Sequence, residues 1–420
     1  MRASDCRKRR GAKTAVQPSL FACPRPAPVR FAHFYNLPTR PETALLLIPC
    51  RMWSTPLKVA LRNMSHDTAF LRFQQQLLTG ARRNSVSDIV EWFGAIQAQD
   101  FGAALWTIGQ RSDSLTFADV ERAIADRQIV RTWPLRGTIH FVPAADLRWM
   151  LALTGARQNE RSWSVLRGVG LDQTIVDRGR SILEAALRDG PRTRPEIYAA
   201  FQRSGLPTEK GAGLHVIGYW AQAGLICFGA HRGKQPTFVL LDDWLADTNH
   251  HTPDPDTALR TLAARYFQSR GPATDRDLAW WSGLPLTVAR RAIRLAGDLL
   301  EERRLNGGSL WLHLFNPPRK SVDGTLLRLL SPFDEILVAY KDRSAYDRHP
   351  GVPDPALTFF SPTVLANGRL VGIWKKVVGS KSAQVHLAVS ADAGRLDAHL
   401  IERELGRLSH FWGRTFALAP

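Results

Sequence analysis

The chain has 420 residues, of which 44% are apolar and 22% charged, and it carries 13 tryptophans; this excludes a largely disordered protein and leaves room for about two to four domains. Its formal net charge is +18, with +10 supplied by residues 1–63 and +8 by the rest. The moderately basic body favours a polyanionic partner such as double-stranded DNA and disfavours a basic one.

Residues 1–63 hold eight prolines, the basic cluster Arg7-Lys8-Arg9-Arg10 and no sustained periodicity, so they read as a disordered basic extension. A DNA-contacting arm and a transit peptide are alternatives there. The favoured reading is a start placed too far upstream, because Met64-Ser65-His66-Asp67 leads straight into a regular helix. The extension also holds Cys6, Cys23 and Cys50. The body has Cys227 alone, which excludes a disulfide framework or a cysteine-based zinc site there and points to a reducing cytoplasm. The apolar run Ala44 to Pro49 is far shorter than the ~20 residues a membrane helix needs.

From residue 64 the pattern becomes helical. Apolar residues recur at helical spacing over 68–80, and a second helix is predicted from Ile89 to about Ile96, capped by Ser87 or Asp88 with Glu91 placed for a capping box. A third starts at Thr116. Residues 129–142 then alternate like paired strands, bending near Pro134 and Gly137. Helices followed by a hairpin suggest a winged-helix unit over residues 64–175.

The design recurs. In residues 176–250, helices are predicted at Arg180 to Leu187, after Thr193, and at Ala212 to Leu225, followed by strands around a tip at Gly229 to Pro236. In residues 251–318, helices at Ala258 to Phe267, after Thr274 and at Thr287 to Leu295 precede a hairpin turning at Asn306-Gly307. Gly190-Pro191 and Gly271-Pro272 stand at equivalent points 81 residues apart, the mark of a tandem repeat. Residues 319–420 change period. Strands are predicted at Leu326 to Tyr340, Leu357 to Leu365, Arg369 to Val378 and Gln384 to Val389, with a helix from Asp397 to Leu408. The expected fold class is α+β: tandem winged-helix units followed by a β-barrel-like domain.

The most informative stretch is Gln97-Ala98-Gln99-Asp100 ahead of the hairpin Trp133 to Phe141. In a continuous α-helix residues i and i+2 point about 200° apart. The two glutamines therefore converge on one substrate only if the helix ends near Ala98 or if one supports the other from behind, and a helix terminus or extended link is predicted there. Taken by spacing alone, they read as two polar residues at a helix end making local caps.

With these residues in view, the chain over 68–420 resembles the AlkZ/YcaQ-like winged-helix DNA glycosylases. The carriers are Gln97-Ala98-Gln99-Asp100, Trp133 with Arg136-Gly137-Thr138-Ile139-His140, Leu330-Ser331-Pro332-Phe333-Asp334 with Asp342-Arg343, and Gly372-Ile373-Trp374. The resemblance implies three tandem winged helices, a C-terminal β-barrel, and a catalytic Gln-x-Gln element at Gln97 and Gln99. It further implies removal of bulky N-alkylated purines and unhooking of interstrand crosslinks.

A cationic N-alkylpurine leaves as a neutral base, so no strong general acid is required; the enzyme has to place a water and stabilise positive charge on the sugar. A carboxamide suits that task, since its oxygen accepts from water and its N–H₂ donates. Asp100 is a candidate base beside the pair. For Arg136, a phosphate grip and a buried ion pair with a core carboxylate stand as equal readings; His140 is expected in the core. Candidate DNA contacts are His231, Arg232 and Lys234 on the second hairpin tip, Arg290, Arg291 and Arg294 on a helix of the third unit, and Arg303 and Arg304 before its hairpin. Asp334, Asp342 and Arg343 read as a structural ion-pair network. His250-His251 has no partner ligands, so neither a metal nor a cofactor is expected. The predicted function is a DNA repair glycosylase acting as a monomer; the alternative is a non-catalytic DNA-binding protein or transcriptional regulator.

Overall fold

The structure is a computed structural model, and it describes residues 68–79, 82–246, 252–305, 308–314, 326–343, 352, 360–379 and 382–419. The proposed start at Met64, the pair His250-His251 and the turn at Asn306-Gly307 lie outside the described residues. The described part falls in one unit spanning Ser54–Pro420.

Helix α1 covers 68–75. Helix α2, Val86–Phe93, begins one turn earlier than predicted, because Ser85 is the last extended residue and its hydroxyl accepts from the Asp88 N–H. It also stops before Ile96, at Gly94, whose φ of 69° leaves the helical path. Strand β1 follows at Ile96–Gln97, and α3, Phe101–Gly109, starts at Asp100. Helix α4, Phe117–Ala125, opens on a Thr116/Asp119 capping box. Strands β2, Ile129–Leu135, and β3, Thr138–Pro143, form the predicted hairpin. Arg136 and Gly137 both take positive φ, 55° and 70°, as a two-residue primed turn requires. The 22-residue helix α5, Leu147–Gly168, had not been predicted.

In the second unit, α6 (Gln173–Leu187), β4 (Arg192–Thr193), α7 (Arg194–Arg203) and α8 (Ala212–Gln222) precede β5 (Ile226–Phe228), β6 (Thr237–Leu240) and the short α9 (Leu241–Trp244). Thr193 caps α7 as predicted, and it does so through a capping box with Glu196. In the third, α10 (Pro255–Arg270), α11 (Asp275–Ser282) and α12 (Leu286–Leu295) lead to the hairpin β7 (Leu300–Leu305) and β8 (Gly308–His313).

The first two hairpins do not stay apart. They join through the Arg131–Phe228 pair into one six-stranded sheet of order β1-β3-β2-β5-β6-β4, while β7-β8 is a sheet of its own. Two apolar clusters run through the units: one joins Phe93, Phe141, Phe201 and Phe238 to Trp374 and Phe411, the other joins Met150 and Cys227 to Tyr266, Trp281 and Ile336.

The C-terminal part is β9 (Leu327–Leu329), α13 (Glu335–Val338), β10 (Thr363–Ala366), β11 (Arg369–Val378), β12 (Ser382–Val389), α14 (Ala398–Trp412) and β13 (Thr415–Leu418). Its sheet runs β13-β12-β11-β10-β9, and the expected barrel-like domain is a curled half-barrel, with β9 and β13 as its edges among the described residues. The strand predicted over Leu326 to Tyr340 ends after three residues. Pro332 cannot donate to a ladder, Phe333 turns left-handed at φ 59°, and Asp334 then caps α13.

Candidate active site

Gln97, Ala98 and Gln99 lie in the extended link predicted for them. Gln97 pairs with His140 across β1 and β3, and the Ala98 N–H donates to the Ile139 carbonyl at 2.7 Å. The link breaks the helical path, so the two glutamines are next-but-one residues of an extended segment and not opposite faces of a helix. Gln97 is buried, with 7% of its surface exposed, whereas Gln99 and Asp100 are exposed.

The backbone of the link is held at Gln97 and Ala98. The Gln97 N–H donates to the Glu335 carboxylate at 2.7 Å, and the Ala98 carbonyl accepts from Arg131 Nε and Nη2 at 3.1 and 2.9 Å. The side chains are held as well. Gln97 Oε1 accepts from Arg136 Nη2 at 2.8 Å; Gln99 Oε1 accepts from the Ile139 N–H at 3.2 Å, continuing the ladder where β1 has stopped. Both partners are pure donors, so both amides must turn their oxygens toward them and their N–H₂ groups away. Each oxygen has one hydrogen-bond donor among the described residues.

Arg136 does not form the ion pair with a core carboxylate that one of its two readings expected. It sits half-buried in the hairpin turn, with Nη2 on Gln97 and Nη1 on the Trp281 carbonyl at 3.1 Å, and its hydrogen-bond partners include no carboxylate. Burial pulls its pKa down to about 10, which leaves it cationic at neutral pH. His140 is fully buried as expected; its Nδ1 donates to the Thr138 carbonyl, and burial followed by the charge of Arg136 pushes its pKa well below 6.5. Asp100 caps α3, its Oδ1 accepting from the Ala103 N–H at 2.9 Å. Asp334 is buried in an ion pair as predicted, but with Arg111 at 2.9 Å.

His231, on the tip between β5 and β6, is brought to the link: its ring meets Phe101 edge-on with centroids 4.1 Å apart. Burial and the nearby Arg131 charge lower its pKa. Arg232 is tied to Glu196 at 2.8 Å and the Pro191 carbonyl at 2.7 Å. Arg290 pairs with Asp275, Arg291 with Asp256, Arg303 with Glu301 and Arg304 with Glu302. Lys234 and Arg294 are exposed and make no ion pair among the described residues. A cavity of about 180 Å³ lies away from the link, at the C-terminal end of α3 against α14, lined by Ser112, Arg403, Arg407 and His410 among others. No group of metal-ligating side chains occurs among the described residues, and none of their helices is long and apolar enough to cross a membrane.

A family profile described as DNA glycosylase AlkZ-like matches residues 90–411. The chain belongs to the AlkZ-like DNA glycosylases. It is similar to an interstrand DNA cross-link repair glycosylase of Streptomyces sahachiroi, 26% identical over 363 residues that cover 81% of this chain and 95% of the relative. The solved structure of the Streptomyces sahachiroi DNA glycosylase AlkZ is similar in fold, with a TM-score of 0.66 at 25% identity over 84% of this chain and 99% of that one. In this AlkZ-like chain the residues that grip the link, Glu335, Arg270, Arg131 and Trp281, went unmarked by sequence reasoning. The one available signal was a pair of acids, Asp334-Glu335, inside an apolar run.

Proposed function

We propose that this AlkZ-like enzyme hydrolyses the N-glycosidic bond of cationic N-alkylated purines in duplex DNA, bulky adducts and interstrand crosslinks included. It works as a monomer in the cytoplasm, on the nucleoid, with a scaffold of tandem winged helices and no cofactor. Gln97 and Gln99 are the catalytic residues. The observation that carries this is the orientation of the two amides: each oxygen is pinned by a donor, Arg136 on one side and the Ile139 N–H on the other. Each keeps one lone pair for a water and turns two N–H donors toward sugar or phosphate oxygens. Neither amide takes up a proton as a true base, so catalysis is confined to bases that already leave neutral. The similarity to a cross-link repair glycosylase supports the bulky end of that range. Of the candidate contacts, Lys234 and Arg294 meet backbone phosphates without giving up an ion pair; His231, Arg232, Arg290, Arg291, Arg303 and Arg304 add contacts by exchanging internal partners for DNA.

The test is release of free base from a duplex carrying N7-methylguanine or a bulky N7 adduct, under single-turnover conditions. Release by the native protein, and its loss in Gln97→Ala/Gln99→Ala with DNA affinity kept within about threefold, is the expected result. Retained affinity with no release from either substrate would leave a DNA-binding protein.

A further inference from the structure

We infer that Glu335, braced by Arg270, is a positioning residue for Gln97. The inference rests on the proposed catalytic role of Gln97.

Strand β1 is the edge of its sheet, so the backbone donor of Gln97 that faces away from β3 would ordinarily be left to water. Here it meets a carboxylate supplied from 238 residues further along the chain, at 2.7 Å. Glu335 is 0% exposed, and so is the Arg270 side chain that pairs with it at 2.6 Å. A buried ion pair is a poor stabiliser compared with apolar groups of the same volume, because two charges must be stripped of water. A neutral acceptor would also satisfy a single N–H. What the pair adds is rigidity. Glu335 Oε2 accepts twice from Arg270, leaving Oε1 directed at Gln97. Arg270 in turn donates to the carbonyls of Phe93 and Ala95, both at 2.7 Å, so it grips the chain on the other side of the same link.

The two holds on Gln97 meet at one residue. The Arg270 guanidinium lies 4.4 Å from the centroid of the Trp281 ring, and the carbonyl of Trp281 accepts from Arg136, which orients the Gln97 amide. The third unit thus supports both the backbone and the side chain of Gln97, while the C-terminal part supplies the acceptor. A displacement of about 1 Å in a reacting group costs on the order of a hundredfold in rate. Glu335 is therefore set where a small error reaches the chemical step and not the binding of DNA.

The experiment measures the single-turnover rate on an N7-methylguanine duplex, DNA affinity and thermal stability for each variant. Glu335→Asp keeps the charge and withdraws the carboxylate by one methylene; the chemical rate should fall at least about tenfold with affinity unchanged. Arg270→Met/Glu335→Gln and Arg270→Met/Glu335→Leu both remove the buried charges and differ only in the acceptor offered to the Gln97 N–H. The first should outpace the second by about tenfold at matched stability. Gln97→Ala is run alongside. If it reacts at the native rate, the catalytic reading of Gln97 fails and this inference goes with it. If it is slow while Glu335→Asp stays at the native rate, or the two paired variants react equally fast, the positioning role alone is overturned. Rates that fall only in step with melting temperature would likewise overturn it.

Discussion

Replacing Arg136 by methionine separates two roles that an arginine beside a lesion could play. In the structure its Nη1 and Nη2 are committed to the Trp281 carbonyl and to Gln97 Oε1. A hydrogen bond from a charged donor contributes about 1.5–3 kcal/mol, and a half-exposed site lets water recover part of that. The loss expected in the chemical step is then about 1–2 kcal/mol, roughly 5- to 30-fold in single-turnover rate. DNA affinity should barely change, because the guanidinium is turned inward. The assay is base release from an N7-methylguanine duplex together with DNA binding measured at several salt concentrations. An arginine that gripped a phosphate would behave differently: its removal would lower the slope of log affinity against log salt by about 0.9 and leave the bound complex reacting normally. That pattern would refute the assignment of Arg136 as the holder of Gln97.

Two further outcomes follow from the packing around the same turn. Gly283 ends α11 at φ +75°, and a methyl group there would stand 3.3 Å from Arg136 Cα and 2.7 Å from Gln158 Nε2. Gln158 can swing aside, but the Arg136 backbone is confined in its turn. Gly283→Ala should therefore cost about 1–2 kcal/mol in chemical denaturation and slow base release; an unchanged denaturation midpoint would contradict it. His140 is neutral when folded, its pKa lying well below 6.5 through burial and the Arg136 charge. Its contribution to stability is fully present above pH 6.5 and is lost as pH falls below that value, because the unfolded chain then binds a proton the folded one refuses. Stability of the native protein should drop faster between pH 6.5 and 5 than that of His140→Asn, by up to about 1.4 kcal/mol per pH unit; parallel curves would exclude the mechanism.

What the sequence disclosed and what it hid divide along physical lines. Thr193 and Thr116 start their helices as read, and the boxes they form with Glu196 and Asp119 are local devices, complete within four residues. The extended link at Gln97 was legible because helical geometry forbids convergence at a spacing of two. Helix α5 was missed because it is contacted on several sides by β2, α8 and α10 and so lacks one apolar stripe. It even buries Thr154, Gln158 and Asn159. The strand predicted over Leu326 to Tyr340 failed for the opposite reason: its apolar run is broken by Pro332 and the left-handed Phe333. The supports of the site were hidden because they are long-range. Nothing near Glu335 announces that its partner is a backbone amide 238 positions away.

The union of β2 with β5 bears on how such a chain can be rearranged. Recombination that moved the first helix–hairpin segment elsewhere, or inserted a foreign copy of the second, would bare a strand whose hydrogen-bonding groups now have a neighbour, and bared strands recruit other chains. Arg131 sits on that seam and holds Ala98 from it, so the damage would reach the link between Gln97 and Gln99 directly. A scaffold that reads as interchangeable beads has, at the one residue pair that joins its first two hairpins, given up its interchangeability.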